Sequence, residues 1–212
     1  MIKHTLYPKT TRVKDSAGVT VTEKIDGSNL TFFKQFDKLF IAQRNYIYSL
    51  EESLNGELEK GTEYKGLKGW LSEHGEHLEK MMHDKAAICG EWLGMGKIKY
   101  GDRFDERFLQ FAKANVDLSE IGLPRLGRLL YKDELFKYSF INQTIPDYIG
   151  TVPVACHWEV YPKIEDLNWF YEKYTEETES QVEGFIVINT DQTIKKYVRL
   201  KNGQLTEHKE GK

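Results

Sequence analysis

Only two of the 212 residues are cysteine, Cys89 and Cys156, and each lies in an apolar, strand-like stretch. Without Cys-x-x-Cys spacing, neither a thiolate metal site nor a disulfide framework is expected, and both read as buried free thiols. No run of 18 apolar residues occurs, so no membrane-spanning helix is expected. The opening Met1-Ile-Lys-His-Thr has none of the apolar character of a secretory signal, and the expectation is a cytosolic protein of compact, phage or bacterial type. Positive charge is not in excess either: 30 Lys and Arg face 33 Asp and Glu, a net charge of −3. That excludes a protein holding nucleic acid by bulk charge, but leaves room for a local basic groove. The acids gather in 51–63, 73–79 and 165–179, away from Lys24, Arg44, Lys97, Lys99, Arg103 and Lys195–Lys201. Internal repeats, linkers and low-complexity segments are lacking too.

What remains is a globular composition, 40% hydrophobic and 30% charged, in a chain long enough to bury a large core. A single domain spanning 1–212 is expected. Three short strands fall in 19–44, the second and third (30–36, 39–44) turning around Asp37-Lys38. Residues 49–65 read as an acidic loop with a little helix. Apolar residues at 67, 70, 71, 78, 81 and 82 have helical spacing. His74, His77 and His83 on that segment lack a carboxylate partner in metal-binding register and read as solvated face residues. Strands follow at 86–93, 108–116 and 154–161, with a Gly-rich basic loop, 94–103, after the first. A helix is expected near 133–140 and an acidic one over 164–178, burying Leu167, Phe170, Tyr171 and Tyr174. Strands 184–189 and 194–200 close as a hairpin. Trp92, Trp158 and Trp169 read as core. The class is α+β, mostly antiparallel strands with flanking helices.

The segment Val21-Thr-Glu-Lys-Ile-Asp-Gly-Ser-Asn-Leu30 stands out. A strand ends in Lys24, breaks at Asp26-Gly27 and resumes. Asp-Gly alone is an ordinary hairpin signal. The break also puts an amine where a buried strand meets a loop. A lysine with an ordinary pKa of about 10.4 becomes nucleophilic when burial and neighbouring cations lower it by roughly 2–3 units.

Four further stretches follow in order: Gln43-Arg44-Asn45, Cys89-Gly-Glu91-Trp92, Glu183-Gly-Phe-Ile186 and Tyr197-Val-Arg199-Leu-Lys201. Together with Lys24-x-Asp26-Gly27-x-Asn29 they resemble the motifs of the covalent nucleotidyltransferases, the superfamily of polynucleotide ligases and mRNA capping enzymes. The likeness is closest to ATP-dependent RNA ligases of the RNA ligase 2 type, and it spans residues 20–202. It implies the nucleotidyltransferase fold with the nucleotide in a cleft between sheets. It implies that Lys24 attacks the α-phosphorus of ATP to form lysyl-AMP, and that the AMP passes to a 5′-phosphate, which a 3′-hydroxyl then joins. Asn29 and Arg44 would contact nucleotide and phosphates, Glu91 the ribose hydroxyls, and Phe111 the adenine, with Glu23 and Ile25 lining the same pocket. Glu183 would act through Mg²⁺ or Mn²⁺, and Arg199 and Lys201 would bind the α-phosphate.

The chemistry asks for the same residue types. Phosphoryl transfer is limited by positioning and by neutralising oxygen charge, which a hard cation and basic side chains supply. Arg199 and Lys201, two apart, share one face if they lie on one strand. Glu159 is a candidate second metal contact, or a structural carboxylate. Phe108 is the alternative to Phe111 for stacking. Lys97, Lys99 and Arg103 are candidates for gripping a polynucleotide or pyrophosphate, or a solvated loop. The chain departs from the pattern in stopping eleven residues past Lys201, so the OB-fold or helical module usual in such ligases is expected to be absent. It also has Ala112 after the aromatic Phe111. The expected partners are RNA ends or nicks, or an RNA/DNA hybrid, engaged by a monomer with a separate protein able to supply the missing module. A DNA ligase, a GTP-using capping-type enzyme and an inactive nucleotide-binding module are the alternatives.

Overall fold

The computed structural model describes residues 11–12, 19–43, 46–57, 64–94, 96–117, 125–126, 139–142, 144–189, 194–201 and 204–206. The chain divides into two compact units. One comprises Gly27–Gly96 and Asp105–Thr151, the other Lys9–Asp26, Lys97–Phe104 and Val152–Lys212.

In the second unit a five-stranded sheet has the order β1-β12-β11-β2-β10. Its strands are β1 (Thr11–Arg12), β2 (Val19–Lys24), β10 (Val154–Trp158), β11 (Gly184–Asn189) and β12 (Ile194–Val198). All pairings are antiparallel except β1 with β12. The alternation of β2 decides its faces. Val19 and Val21 point to the same side as Phe185, Val187 and Tyr197, and there they meet Leu167, Tyr171 and Tyr174 of helix α3 (Ile164–Thr178). Thr20, Thr22 and Lys24 take the opposite parity. Helix α3 has the expected boundaries, and Phe170 packs at the edge of its buried stripe. Trp169 does not join the core: it is 58% exposed, with the Lys173 ammonium over its ring. Two residues past Leu167 is about 200° around the helix, away from the apolar stripe.

In the first unit the sheet order is β5-β4-β3-β6-β7-β8, with β9 alongside β7. The strands are β3 (Ser28–Gln35), β4 (Lys38–Ala42), β5 (Ile47–Ser49), β6 (Ala86–Trp92), β7 (Phe108–Asp117), β8 (Arg125–Leu126) and β9 (Gly150–Thr151). Leu30, Phe32, Ile41, Ile88 and Phe108 form its core with Leu67, Leu71 and Leu78 of helix α2 (Leu67–Met81). The β3–β4 turn falls one residue earlier than the Asp37-Lys38 expectation. Phe36 and Asp37 both have positive φ (53° and 58°), as a two-residue primed hairpin requires. A short helix α1 (Leu50–Glu52) starts on a capping box, in which Ser49 Oγ accepts the Glu52 N–H and the Glu52 carboxylate accepts the Ser49 N–H.

His74 stacks on Tyr148 at 4.2 Å, and the His77 ring nitrogen bonds the Tyr148 hydroxyl at 2.9 Å. Among the described residues no His, Cys, Asp and Glu gather in threes to hold a metal. Cys89 is buried and Cys156 half-buried, both free. No described helix is long and apolar enough to cross a membrane. The helix expected near 133–140 falls almost wholly outside the described residues.

Candidate active site

Asp26-Gly27 is not a hairpin turn. Strands β2 and β3, on either side of it, belong to different sheets, so the chain leaves one unit for the other just after Lys24. Lys24 is the last residue of β2 and sits opposite Gly184, which in turn faces Val198. The Glu183 carbonyl accepts the N–H groups of Arg199 (2.9 Å) and Leu200 (3.0 Å), which fixes Glu183 at the end of the ladder. From there its Oε2 takes an ion-paired hydrogen bond from Lys24 Nζ. Both side chains are about four-fifths buried. Burial raises the affinity of Glu183 for a proton; the ammonium of Lys24 opposes this, the charge of Asp26 adds to it, and Lys196 opposes it. Lys196 lies opposite Ile186, itself opposite Thr22, so it shares the parity of Lys24.

Glu23, just before this lysine, and Asp26, two residues after it, are tied to the 97–104 segment of the same unit. Glu23 has a side chain with no exposure and accepts both guanidinium nitrogens of Arg103, one at 2.9 Å, and the Tyr174 hydroxyl at 3.1 Å. Asp26 Oδ2 accepts the N–H groups of Lys97 (2.6 Å) and Ile98 (2.9 Å), and the Asp26 N–H donates to the Tyr100 hydroxyl at 2.7 Å. Burial pushes Glu23 above the usual carboxylate range, and Arg103 pulls it back. Burial also raises Tyr100, keeping it a neutral phenol.

In the other unit Asn29 stands directly opposite Glu91 on the β3–β6 ladder, so the two share one face. Gly27 allows this approach, because a Cβ there would meet the Trp92 carbonyl at 2.9 Å and Glu91 Cβ at 3.1 Å. The β6–β7 register slips between Cys89/Ala112 and Gly90/Gln110, leaving Phe111 as the extra residue of a bulge. Phe111 is half-exposed, whereas Phe108 is fully buried edge-on against Phe32. Phe108 is therefore core and not available for stacking.

Other candidates are placed differently. The Arg199 guanidinium goes to the α3 side, donating to Asn168 Oδ1 (2.8 Å) and the Tyr197 hydroxyl (3.2 Å) and lying over the Tyr171 ring. Lys201 is exposed in β13 (Leu200–Lys201), which pairs with β14 (Gln204–Leu205). Because β12 ends at Val198, the two basic residues do not share one strand, and the expectation of a common face fails. Glu159 follows Trp158, which pairs with Val19. That is the far end of β2 from Lys24, about 16 Å along five residues of strand, so it is not brought beside Glu183. The Glu23 side chain is committed to Arg103, and Ile25 is buried. Arg44 lies outside the described residues. Sequence reasoning missed Asp26, Tyr100 and Lys196 as neighbours of the lysine, and the pairing of Arg103. The parity of β2 was the available signal, since a carboxylate at 23 on the core-facing row needs a buried cation.

The family model of the RNA ligases matches residues 18–202, a span that holds both sheets and the Lys24–Glu183 pair, and the chain belongs to that family. No curated protein matches it in sequence. Among solved structures it shares its fold with an RNA ligase variant from Naegleria gruberi with ATP and Mn, at a TM-score of 0.52 and 14% identity over 93% of this chain and 58% of that one. Another variant of that ligase, with AMP and Mn, gives 0.50 and 14% over 93% and 61%. The chain thus spans about three-fifths of the solved ligases it resembles.

Proposed function

We propose that the protein is an ATP-dependent RNA ligase that works through a covalent lysyl-AMP. The observation that carries this is the ion pair of Lys24 with Glu183 at the end of β2, in a chain of the RNA ligase family. Lys24 Nζ, once it has shed its proton, attacks the α-phosphorus of ATP. The N–P bond forms, the bond to the β-phosphate oxygen breaks, and pyrophosphate leaves. AMP then passes to an RNA 5′-phosphate, and a 3′-hydroxyl displaces it to seal the strand. Lys196 shares the face of Lys24 and would offset phosphate charge, as Lys201 would from β13. Asn29, Glu91 and Phe111 are assigned to nucleotide and sugar.

A divalent ion suits the donor set. Glu183 is a desolvated carboxylate with the charge of Asp26 nearby, a hard-oxygen pair of the kind Mg²⁺ or Mn²⁺ takes together with phosphate oxygens. When bound, such an ion supplies positive charge against the phosphate oxygens. Glu183, with Asp26 beside it, would hold it.

The test is incubation with α-labelled ATP and Mg²⁺ or Mn²⁺, followed by denaturation and intact-mass measurement. One added adenylyl group is expected; ATP that binds without becoming covalent would leave the reading of an inactive binding module. Competition by GTP, and sealing of RNA against DNA nicks, distinguish a capping-type or DNA-joining enzyme. Glu183→Gln keeps the volume but loses the charge, and is expected to slow labelling about 10²-fold or more, the scale of losing one stabilising charge. Phe111→Ala is expected to raise the KM for ATP about 5- to 100-fold, the range for losing a base stack, with Phe111→Trp close to wild type.

A further inference from the structure

The Arg103–Glu23 pair has no place in the chemistry above, yet it is among the most thoroughly buried polar contacts of the described residues. Glu23 is inaccessible and Arg103 is 17% exposed. Burying two charges costs several kcal/mol per ion, and an apolar pair of the same volume usually serves stability as well or better. What a bidentate guanidinium adds is direction: two parallel bonds fix the plane of the carboxylate. Here that carboxylate belongs to the residue immediately before Lys24.

The constraint is matched on the other side. Asp26, two residues after Lys24, takes two backbone N–H groups from Lys97 and Ile98 and gives its own N–H to Tyr100. One segment, Lys97–Phe104, therefore holds the backbone on both sides of the lysine. Arg103 reaches Glu23, Tyr100 reaches Asp26, and Tyr174 of α3 closes the group by donating to Glu23. Arg103 Nη2 also lies 3.4 Å from the Tyr174 hydroxyl, and its guanidinium packs on the Phe104 ring at 5.2 Å. Its polar fork points inward, so it is not the solvent-facing grip on polynucleotide or pyrophosphate that its sequence context allowed.

We propose that Arg103 is a positioning residue for Lys24, acting through Glu23 to set the backbone from which the amine attacks, with Tyr100 bracing the other flank through Asp26. This rests on the reading of Lys24 as the nucleophile. A misplacement of about 1 Å at a reacting group can cost on the order of 10²-fold in rate.

The test is single-turnover adenylylation of the intact protein, in which amplitude counts competent molecules and the rate constant reports the attack. Arg103→Met is expected to lower the rate constant about 10- to 100-fold at saturating ATP, with full amplitude and the KM for ATP nearly unchanged. Arg103→Lys, which keeps the charge but cannot span both oxygens, is expected to recover part of the loss. Glu23→Gln with Arg103→Met should be no slower than the slower single variant. Rate constants within twofold of wild type, or a loss confined to amplitude, would mean the pair is merely structural and overturn the proposal. Should Arg103→Met fail to fold, Tyr100→Phe and Tyr174→Phe keep their rings; the first loses the bond from the Asp26 N–H, the second its bond to Glu23 and the longer one from Arg103. Each is expected to slow the step about 3- to 10-fold, the worth of one well-formed hydrogen bond, and unchanged rates in both would overturn the proposal. A wild-type protein that takes no label overturns the nucleophile reading and this inference with it. A labelled wild type with unaffected variants overturns this inference alone.

Discussion

Lys24→Ala is expected to abolish the covalent AMP adduct, and Lys24→Arg is expected to be equally inactive. The arginine variant separates two roles. If residue 24 served only as a cation against phosphate, a guanidinium would substitute and leave appreciable labelling. If it is the attacking group, the nitrogen must carry a lone pair, and arginine remains protonated at any working pH. Intact mass after ATP exposure reads the result directly, and adduct on Lys24→Ala would place the nucleophile elsewhere.

The same substitution has a consequence for stability with a definite sign. Folding moves Glu183 above its ordinary 4.5, with burial the leading cause and Lys24 opposing it. A carboxylate raised in this way contributes stability that is whole below its unfolded value and is lost as pH rises through its folded one. Lys24→Ala removes the ammonium that restrains the shift, so the loss extends to higher pH. The variant should match wild type in urea unfolding near pH 4.5 and fall behind by about 1–3 kcal/mol at pH 8, the cost of a buried charged group left without its partner. A deficit that is constant with pH would show that Glu183 does not titrate in this window.

Much of the fold was legible because local pattern and tertiary burial agree. Residues 164–178 read as a helix, and α3 has those bounds, since its apolar stripe is the one that covers the sheet. The strands around Lys24 were found from β-branched runs. The failures are places where one residue changes a register. Val198 ends β12, so Arg199 swings to Asn168 while Lys201 enters a separate two-residue strand, and a period-two argument across both could not hold. Phe108 is the core aromatic of its strand, as the preference for Phe111 over Phe108 required; what Phe108-Leu-Gln-Phe111 does not announce is the bulge at Phe111. For the site, motif order nominated Lys24 and Glu183 separately, one as nucleophile and one for a metal; their ion pair across 159 residues of sequence came from the sheet pairing. Motif order could not identify Arg103, because a basic residue in a glycine-rich loop looks alike whether it faces water or a buried carboxylate.

Gly184→Ala is expected to be the most damaging small substitution in the Lys24 unit. Gly184 has φ of 154°, outside the range an L side chain readily adopts, and a Cβ there would lie 2.0 Å from the Tyr197 carbonyl oxygen. The obstacle is backbone in the adjacent strand, so no rotamer change relieves it; β11 and β12 would have to separate where Gly184 faces Val198. Backbone strain of this kind costs about 1–3 kcal/mol before the clash is added, a large part of the 5–15 kcal/mol that holds a typical domain together. Separating the strands there also shifts the Glu183 carbonyl from the Arg199 and Leu200 amides, and with it the carboxylate that holds Lys24. Urea unfolding should therefore show a midpoint well below wild type. The fraction of molecules that label should fall even in buffer where the variant remains folded. Gly101, which has φ of 57° but open space around its Cα, is the control: Gly101→Asn is expected to cost less than about 1 kcal/mol, because asparagine tolerates that region. If Gly184→Ala unfolds at the same midpoint as wild type, the close approach of β12 at this position is wrong, and the geometry assigned to Glu183 falls with it.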